Sequence, residues 1–439
     1  MLPRGSNRNL HKSTPDIPEW DEIIDLYAKI SILRNQKTQQ ECDQKERPPD
    51  LLTISGPPNS KLADGTITSV LDAFAVIFTS SQLGKHVTAT MLRERQQMLP
   101  IGQVMFEVYI ARNGGFDTRA RFLGKAICRW FNTQSESSFG TNLPGYLVIE
   151  DCYIKTQDII KQCKKAWLKL GHEAPHEWLS DSTSPDGITK EICDLLNMIR
   201  DWYVNIEAYD HRIQQSKLLQ RVWEWNRKYG AVFDEFYEQR KVKDINDAMR
   251  CLILIDELLR LPRALDSLKQ FKSNHNSDAR LSINFVEPTT LSLDVADSIA
   301  RSTNDRINVL KEKYNYLAEL PRPVEARDSK RDVRCEIQLL NKFCSQSTEE
   351  QSEMWKFIAC SKRPCFCCYY MLKEESGFKT EESHYGVRPW PVPQELIALA
   401  RSQAGPSGLG DPQSTTIAKA LGFLRRRLEV RIDRARNNG

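Results

Sequence analysis

A short apolar run, Met354-Trp355-Lys356-Phe357-Ile358-Ala359-Cys360, stands between two stretches with helical spacing, and that order restricts the fold to a layered one. In a strand, Trp355, Phe357 and Ala359 point to one side and Ile358 and Cys360 to the other, so both faces are apolar. A strand of that kind belongs in a sheet covered by helices on both sides. The stretch before it begins Arg334-Cys335-Glu336-Ile337-Gln338-Leu339-Leu340, and the stretch after it begins Pro364-Cys365-Phe366-Cys367-Cys368. Both helices start after loops, so their N-termini can meet at one edge of the sheet, where the ligand sites of open α/β sheets collect.

The second helix start has chemistry of its own. Pro364 suits the first helical position, where no N–H is needed. Cys365 and Cys368 are three apart and share one face of the first turn. The positive end of the helix dipole favours thiolates there, and thiolates are metal ligands. A catalytic zinc takes three protein ligands, with sulfur at about 2.3 Å, and leaves the fourth position to water. Two buried thiols in an ordinary core are the simpler reading of the pair. Glu336, for its part, is of a type that favours any helix N-terminus.

Taken together these residues resemble the zinc deaminase signature, H-x-E followed by P-C-x-x-C, in which the glutamate is the general acid/base. The stretches E-I-Q-L-L, C-S-K-R-P-C-x-x-C and S-H-x-G with W-P-x-P look like a fungal and intracellular-bacterial nucleic-acid deaminase-like family of the cytidine deaminase superfamily. The resemblance covers the last third of the chain. It implies a cytidine-deaminase-like α/β sheet domain, zinc as cofactor, and Glu336 taking a proton from zinc-bound water during hydrolytic deamination of cytosine or adenine. It also implies Cys365 and Cys368 as zinc ligands; His384 and Trp390 match the family's trailing motif and are candidates for lining the substrate pocket, with His384 read equally as a replacement ligand or as a turn histidine beside Gly386.

One position departs from that pattern. The residue aligned with the family's histidine ligand is Arg334, whose guanidinium stays protonated and has no lone pair for a metal. Cys335 is one candidate for the third ligand, but it lies about 100° of helix rotation from the histidine's place unless the first turn unwinds; His384 is another. Two readings therefore stand together. The chain is either a zinc-dependent nucleobase deaminase or a catalytically inactive deaminase-fold protein serving as a helical binding scaffold.

Composition narrows the setting. With 439 residues the chain is too long for one ordinary core. A formal charge of +4, from 62 basic against 58 acidic residues, gives no mandate for nucleic acid or membrane. No run is long and apolar enough to span a bilayer. Twelve cysteines without an apolar leader suit a reducing, intracellular compartment, cytoplasmic or nuclear. Half of the twelve fall between Cys335 and Cys368, which favours a metal site over a disulfide scaffold.

The expected class is a mostly helical N-terminal region joined to an α/β domain. Residues 1–19 read as disordered and 20–275 as a helical domain. Residues 276–400 read as the deaminase-like domain, with a motif core at 334–393. Residues 401–414 read as a linker and 415–439 as a basic amphipathic helix. Within the helical region, segments 20–33, 66–80, 86–98, 101–112, 117–131 and 156–169 have helical spacing, and three longer helices follow over 188–209, 213–240 and 245–271. The aromatic stripe from Trp223 to Phe236 reads as core between long helices. A change of period at Arg280, with Leu281, Ile283 and Phe285 alternating ahead of Leu291, Leu293 and Val295, reads as a hairpin. Partners consistent with all this are a nucleic acid or nucleotide, or a protein docked on the helices.

One rival motif exists. His172-Glu173-Ala174-Pro175-His176 matches H-E-x-x-H, yet Pro175 breaks the continuous helix a zinc protease needs.

Overall fold

The computed structural model describes residues 21–34, 54–79 (except 59 and 61), 87–96, 103–133, 148, 152–169, 188–204, 211–240, 247–275, 279–288, 293–313, 333–373, 377–380 and 421–433 (except 422). His172, His176, His384 and Trp390 lie outside them, as do the expected linker and the N-terminal segment before residue 21.

A mixed sheet of five strands organises the chain, in the order β3-β2-β1-β4-β5. The strands are β1 (Thr88–Gln96), β2 (Val104–Arg112), β3 (Ala279–Val286), β4 (Phe357–Cys360) and β5 (Lys379–Thr380). β1 and β2 pair antiparallel from Thr88 opposite Arg112 to Gln96 opposite Val104. β3 joins β2 in parallel, β4 joins β1 antiparallel, and β5 joins β4 in parallel. The sheet thus takes two strands from before residue 113 and three from after residue 278.

Two expectations are corrected here. Segments 86–98 and 101–112, expected as helices, are β1 and β2. Short apolar runs satisfy both the helical and the strand period, and Val104, Val108, Tyr109 and Ile110 supply the β-branched and aromatic side chains that favour the pleat. The hairpin expected after Arg280 is also absent. β3 is a strand, but Leu293 opens a helix, and the partner of β3 is β2, brought from far upstream.

Among the described residues ten helices precede β4: α1 (Asp21–Arg34), α2 (Asp64–Ile77), α3 (Thr118–Asn132), α4 (Tyr153–Lys169), α5 (Ile188–Val204), α6 (His211–Arg240), α7 (Asp247–Asn274), α8 (Leu293–Lys313), α9 (Cys335–Cys344) and the single turn α10 (Thr348–Ser352); an eleventh, α11 (Phe366–Lys373), separates β4 from β5. A last helix covers residues 423–433. The class is therefore mostly helical with an α/β sheet, as the composition and periodicity indicate.

The sheet divides the interior into two cores. Phe106, Val108, Ile110, Leu92, Phe357 and Ala359 face the layer built from α2 to α7. Met91, Tyr109, Ala111, Ile358 and Cys360 face α1, α8, α9, α11 and the last helix. This alternation places all four residues of β4 in the interior, as a strand buried on both faces requires. In α6 the aromatic stripe is core for the most part, with Val222, Phe233 and Phe236 buried and Val232 exposed. The indole of Trp223 donates to Asp266 on α7 at 2.7 Å, and the indole of Trp225 donates to the Glu191 carbonyl at 3.1 Å. Pro262 sits inside α7 without ending it.

Polar contacts fix how β4 enters the sheet. Arg93 on β1 reaches Glu353 at 2.5 Å, Glu350 at 2.9 Å and Glu107 at 3.3 Å. The Trp355 indole donates to Glu94 at 3.2 Å. Gly56 lies against the Trp355 ring so closely that a Cβ there would come within 2.4 Å of it, so only glycine fits. After β4, the Ser361 N–H donates to the Thr88 carbonyl at 2.8 Å and the Thr88 N–H donates to the Ser361 hydroxyl at 3.0 Å. The chain is thereby held where α11 begins. The last helix closes the other side: Leu424, Leu428 and Ile432 are fully buried, and Arg427 and Arg431 lie over the rings of Tyr370 and Phe366.

Candidate functional site

The site lies where α9 and α11 begin, on the face of the sheet opposite the long helices. α9 is positioned by a residue far away in sequence. The Cys335 N–H, one of the helix's unpaired first-turn donors, gives its hydrogen to the Asn113 side chain just after β2 at 2.7 Å. Gln338, one turn on, donates to the Val333 carbonyl at 2.6 Å, and its own buried oxygen has no hydrogen-bond partner among the described residues. Arg334 occupies the N-cap in extended backbone conformation, and its side chain does not cap the helix. Its carbonyl accepts from Ile337 and Gln338 at 2.9 Å each, so α9 is wound from its first residue and does not unwind at Cys335.

α11 starts just after Pro364-Cys365, with the Cys365 carbonyl accepting from Tyr369 at 2.9 Å. Cys365 and Cys368 share a face as their spacing predicts, with their sulfurs 3.5 Å apart. Both are buried, and so are Cys335, Cys367 and Glu336.

The two helix starts converge. Arg334 interacts electrostatically with Cys365, Cys368, Glu336 and Cys335, and although burial opposes its charge, those four neighbours raise its pKa on balance. Glu336 is shifted upward, first by burial and then by Cys365, with Arg334 pulling the other way. The Cys335 thiol donates to a Glu336 oxygen at 3.2 Å. Burial and the adjacent carboxylate push that thiol well above its ordinary value. Cys365 moves the opposite way: hydrogen bonds from Cys367 and Cys368, aided by Arg334, hold it well below the usual thiol range. Burial pushes Cys367 and Cys368 up.

Does this donor set fit a catalytic zinc? Two thiolates about 2.3 Å from one tetrahedral zinc would lie roughly 3.7 Å apart, so Cys365 and Cys368 match two corners. The third corner is not filled from α9. Cys335 spends its sulfur on Glu336, and the group that faces both thiols from α9 is a guanidinium. Among the described residues no three His, Cys, Asp or Glu side chains are grouped so as to hold one ion. The described residues supply two sulfur ligands with a fixed cation beside them, and His384 lies outside the described residues.

Residues 333–394 match a family model described as OTT_1508-like deaminase. The segment is deaminase-like. The match spans both helix starts, β4 and the trailing segment that carries His384 and Trp390. No curated protein and no solved structure matches the chain. The sequence-predicted residues Glu336, Cys335, Cys365 and Cys368 lie on the two converging helix starts. Asn113, which anchors α9, carries no sequence signal because it lies 222 residues away. No described helix is long and apolar enough to cross a membrane.

Proposed function

We propose that this chain is a deaminase-like protein whose site binds a nucleobase-class ligand without hydrolysing it, with the Arg334 guanidinium standing where related enzymes carry a metal. The observation that supports this reading is the convergence of Arg334 on Cys365, Cys368 and Glu336. A guanidinium supplies permanent positive charge beside the thiols, as a metal would, but cannot polarise a water into hydroxide. Without that nucleophile the hydrolytic step has no attacking group, although the carboxyl persists. Glu336 retains the chemistry to recognise an amidine edge, since a carboxyl group both accepts from an exocyclic amine and meets the adjacent ring nitrogen.

Metal analysis of the purified chain, together with a deamination assay on cytosine- and adenine-containing nucleosides and single strands, tests the proposal. The expected result is no stoichiometric zinc and no ammonia release. Arg334→His is expected to raise zinc affinity, because it restores a third ligand in register with Cys365 and Cys368. A stoichiometric zinc in the unaltered chain that disappears in Cys365→Ser, accompanied by deamination, would overturn it.

A further inference from the structure

The outward face of α3 differs in kind from its inward one. Inward, Ala120, Leu123, Ile127, Trp130 and Phe131 are buried, and Gly124 lies so close to Phe285 that a Cβ would come within 2.7 Å of the ring. On the last turn, the Asn132 side chain pairs with both the N–H and the carbonyl of Leu281, which ties α3 along the outer edge of β3. Outward, the helix is basic: it carries Arg119, Arg121, Lys125 and Arg129 and no acidic side chain. Arg121 is held by Glu287. Lys125 and Arg129 are exposed, and neither has an ion-pair partner among the described residues. Phe122 is 59% exposed, more than any other large apolar side chain among the described residues.

Phe122, Lys125 and Arg129 follow one another at steps of three and four residues, so they share one stripe of the helix, about 10 Å long. An exposed ring followed by two exposed cations complements a single-stranded nucleic acid: a base stacks on the ring, and the phosphates beyond it accept from the cations. A duplex keeps its base faces stacked inside and offers the ring nothing. A lipid surface fits less well, because a helix lying in a membrane interface sinks an apolar face into it, and the apolar face of α3 is turned to the core. Position links the stripe to the site. β2 ends at Arg112, Asn113 accepts from the Cys335 N–H that opens α9, and α3 begins at Thr118. α11 begins after β4 at the same end of the sheet, since Cys360 pairs with Ala89 and Ala89 pairs with Ala111. The three helices α3, α9 and α11 therefore all start from one end of the sheet.

We propose that Phe122, Lys125 and Arg129 form a binding surface for single-stranded nucleic acid, along which a strand approaches the deaminase-like site. That the strand presents a base to the site rests on the nucleobase reading above; the surface itself stands on the charge and exposure of α3.

Fluorescence anisotropy on the full chain, over a series of salt concentrations, tests this. The probes are one labelled single-stranded sequence as DNA and as RNA, the DNA duplex of that sequence and, by co-sedimentation, vesicles containing phosphatidylserine. The single strand is expected to bind more tightly than the duplex, and the tighter of DNA and RNA names the strand. Phe122→Ala should weaken single-strand binding about tenfold, and Phe122→Trp, which keeps a ring, should bind as the unaltered chain does. Lys125→Gln and Arg129→Gln together should make the dependence of log affinity on log salt shallower by about 1.4, the value for two lost phosphate contacts on a single strand. All three positions are exposed, so the variants are expected to fold. Cytidine, followed by calorimetry, should bind the variants as it binds the unaltered chain. Cytidine bound with no single strand bound would overturn the surface and leave the nucleobase reading in place; a single strand bound through α3 with no cytidine bound would do the reverse. The surface also falls if Phe122→Ala leaves single-strand binding unchanged, or if the variants lose only vesicle binding, which would assign α3 to a lipid surface.

Discussion

The two sides of the sheet bury sulfur to opposite effect. On the side of the long helices, burial pushes Cys128 and Cys193 up to about 11 and pushes Cys163 higher still. These are packing residues that behave as small apolar groups. On the other side, Cys365 is equally hidden, yet it is held well below the usual thiol range by hydrogen bonds from Cys367 and Cys368 and by Arg334. Burial alone therefore does not distinguish a site from a core. The difference comes from a permanent cation and neighbouring donors, both supplied by the geometry of two helix starts.

The largest effect is expected in the long-helix layer. Phe271 packs against Phe106, Phe131 and His275, and Phe271→Ala should cost about 3–5 kcal/mol in a denaturant titration. The same variant, under conditions where it remains folded, should leave the thiolate absorbance of Cys365 intact. A thiolate signal lost along with Phe271 would mean that the two layers are not separable.

Next comes the cation. Arg334→Met removes one of the charges that hold Cys365 down, so at neutral pH the ultraviolet thiolate band should shrink and its titration should move to higher pH. Cys163→Ala should leave that band unchanged, since burial keeps the Cys163 thiol protonated. The sign of the stability effect follows from linkage. Cys365 is depressed in the folded chain, so its contribution is full above the unfolded thiol value of 9.0 and is lost as pH falls through the lower folded value.

Glu336 has the opposite sign. Its folded value lies above 4.5, so the neutral form is favoured, and stability from this group is full below 4.5 and lost as pH rises through the folded value. Glu336→Gln should therefore raise the melting temperature by a few degrees at neutral pH, with the gain disappearing toward pH 4.5. A gain that persists at acid pH would place the effect in packing and not in charge.

The smallest effect belongs to a helix start with no chemistry attached. Asp117 caps α3 by accepting from Ala120 at 2.8 Å, and Asp117→Ala should cost about 1 kcal/mol without touching the thiolate signal.

The long helices, the doubly buried strand β4 and the pairing of Cys365 with Cys368 were legible in the chain itself, because helical and strand periods and an i, i+3 spacing are local properties. The absence of a histidine at Arg334 was legible too, as the identity of one residue. Other features were decided only by the fold. That β1 and β2 are strands is decided by pairing, with each other and with β3 and β4 from far downstream, since a short apolar run fits either period until something pairs with it. The anchoring of α9 by Asn113 and the turn of Arg334 toward two thiols both join elements that are distant in the chain. Sequence spacing fixes which side chains share a helix face; which faces meet is set by how the layers pack on the sheet.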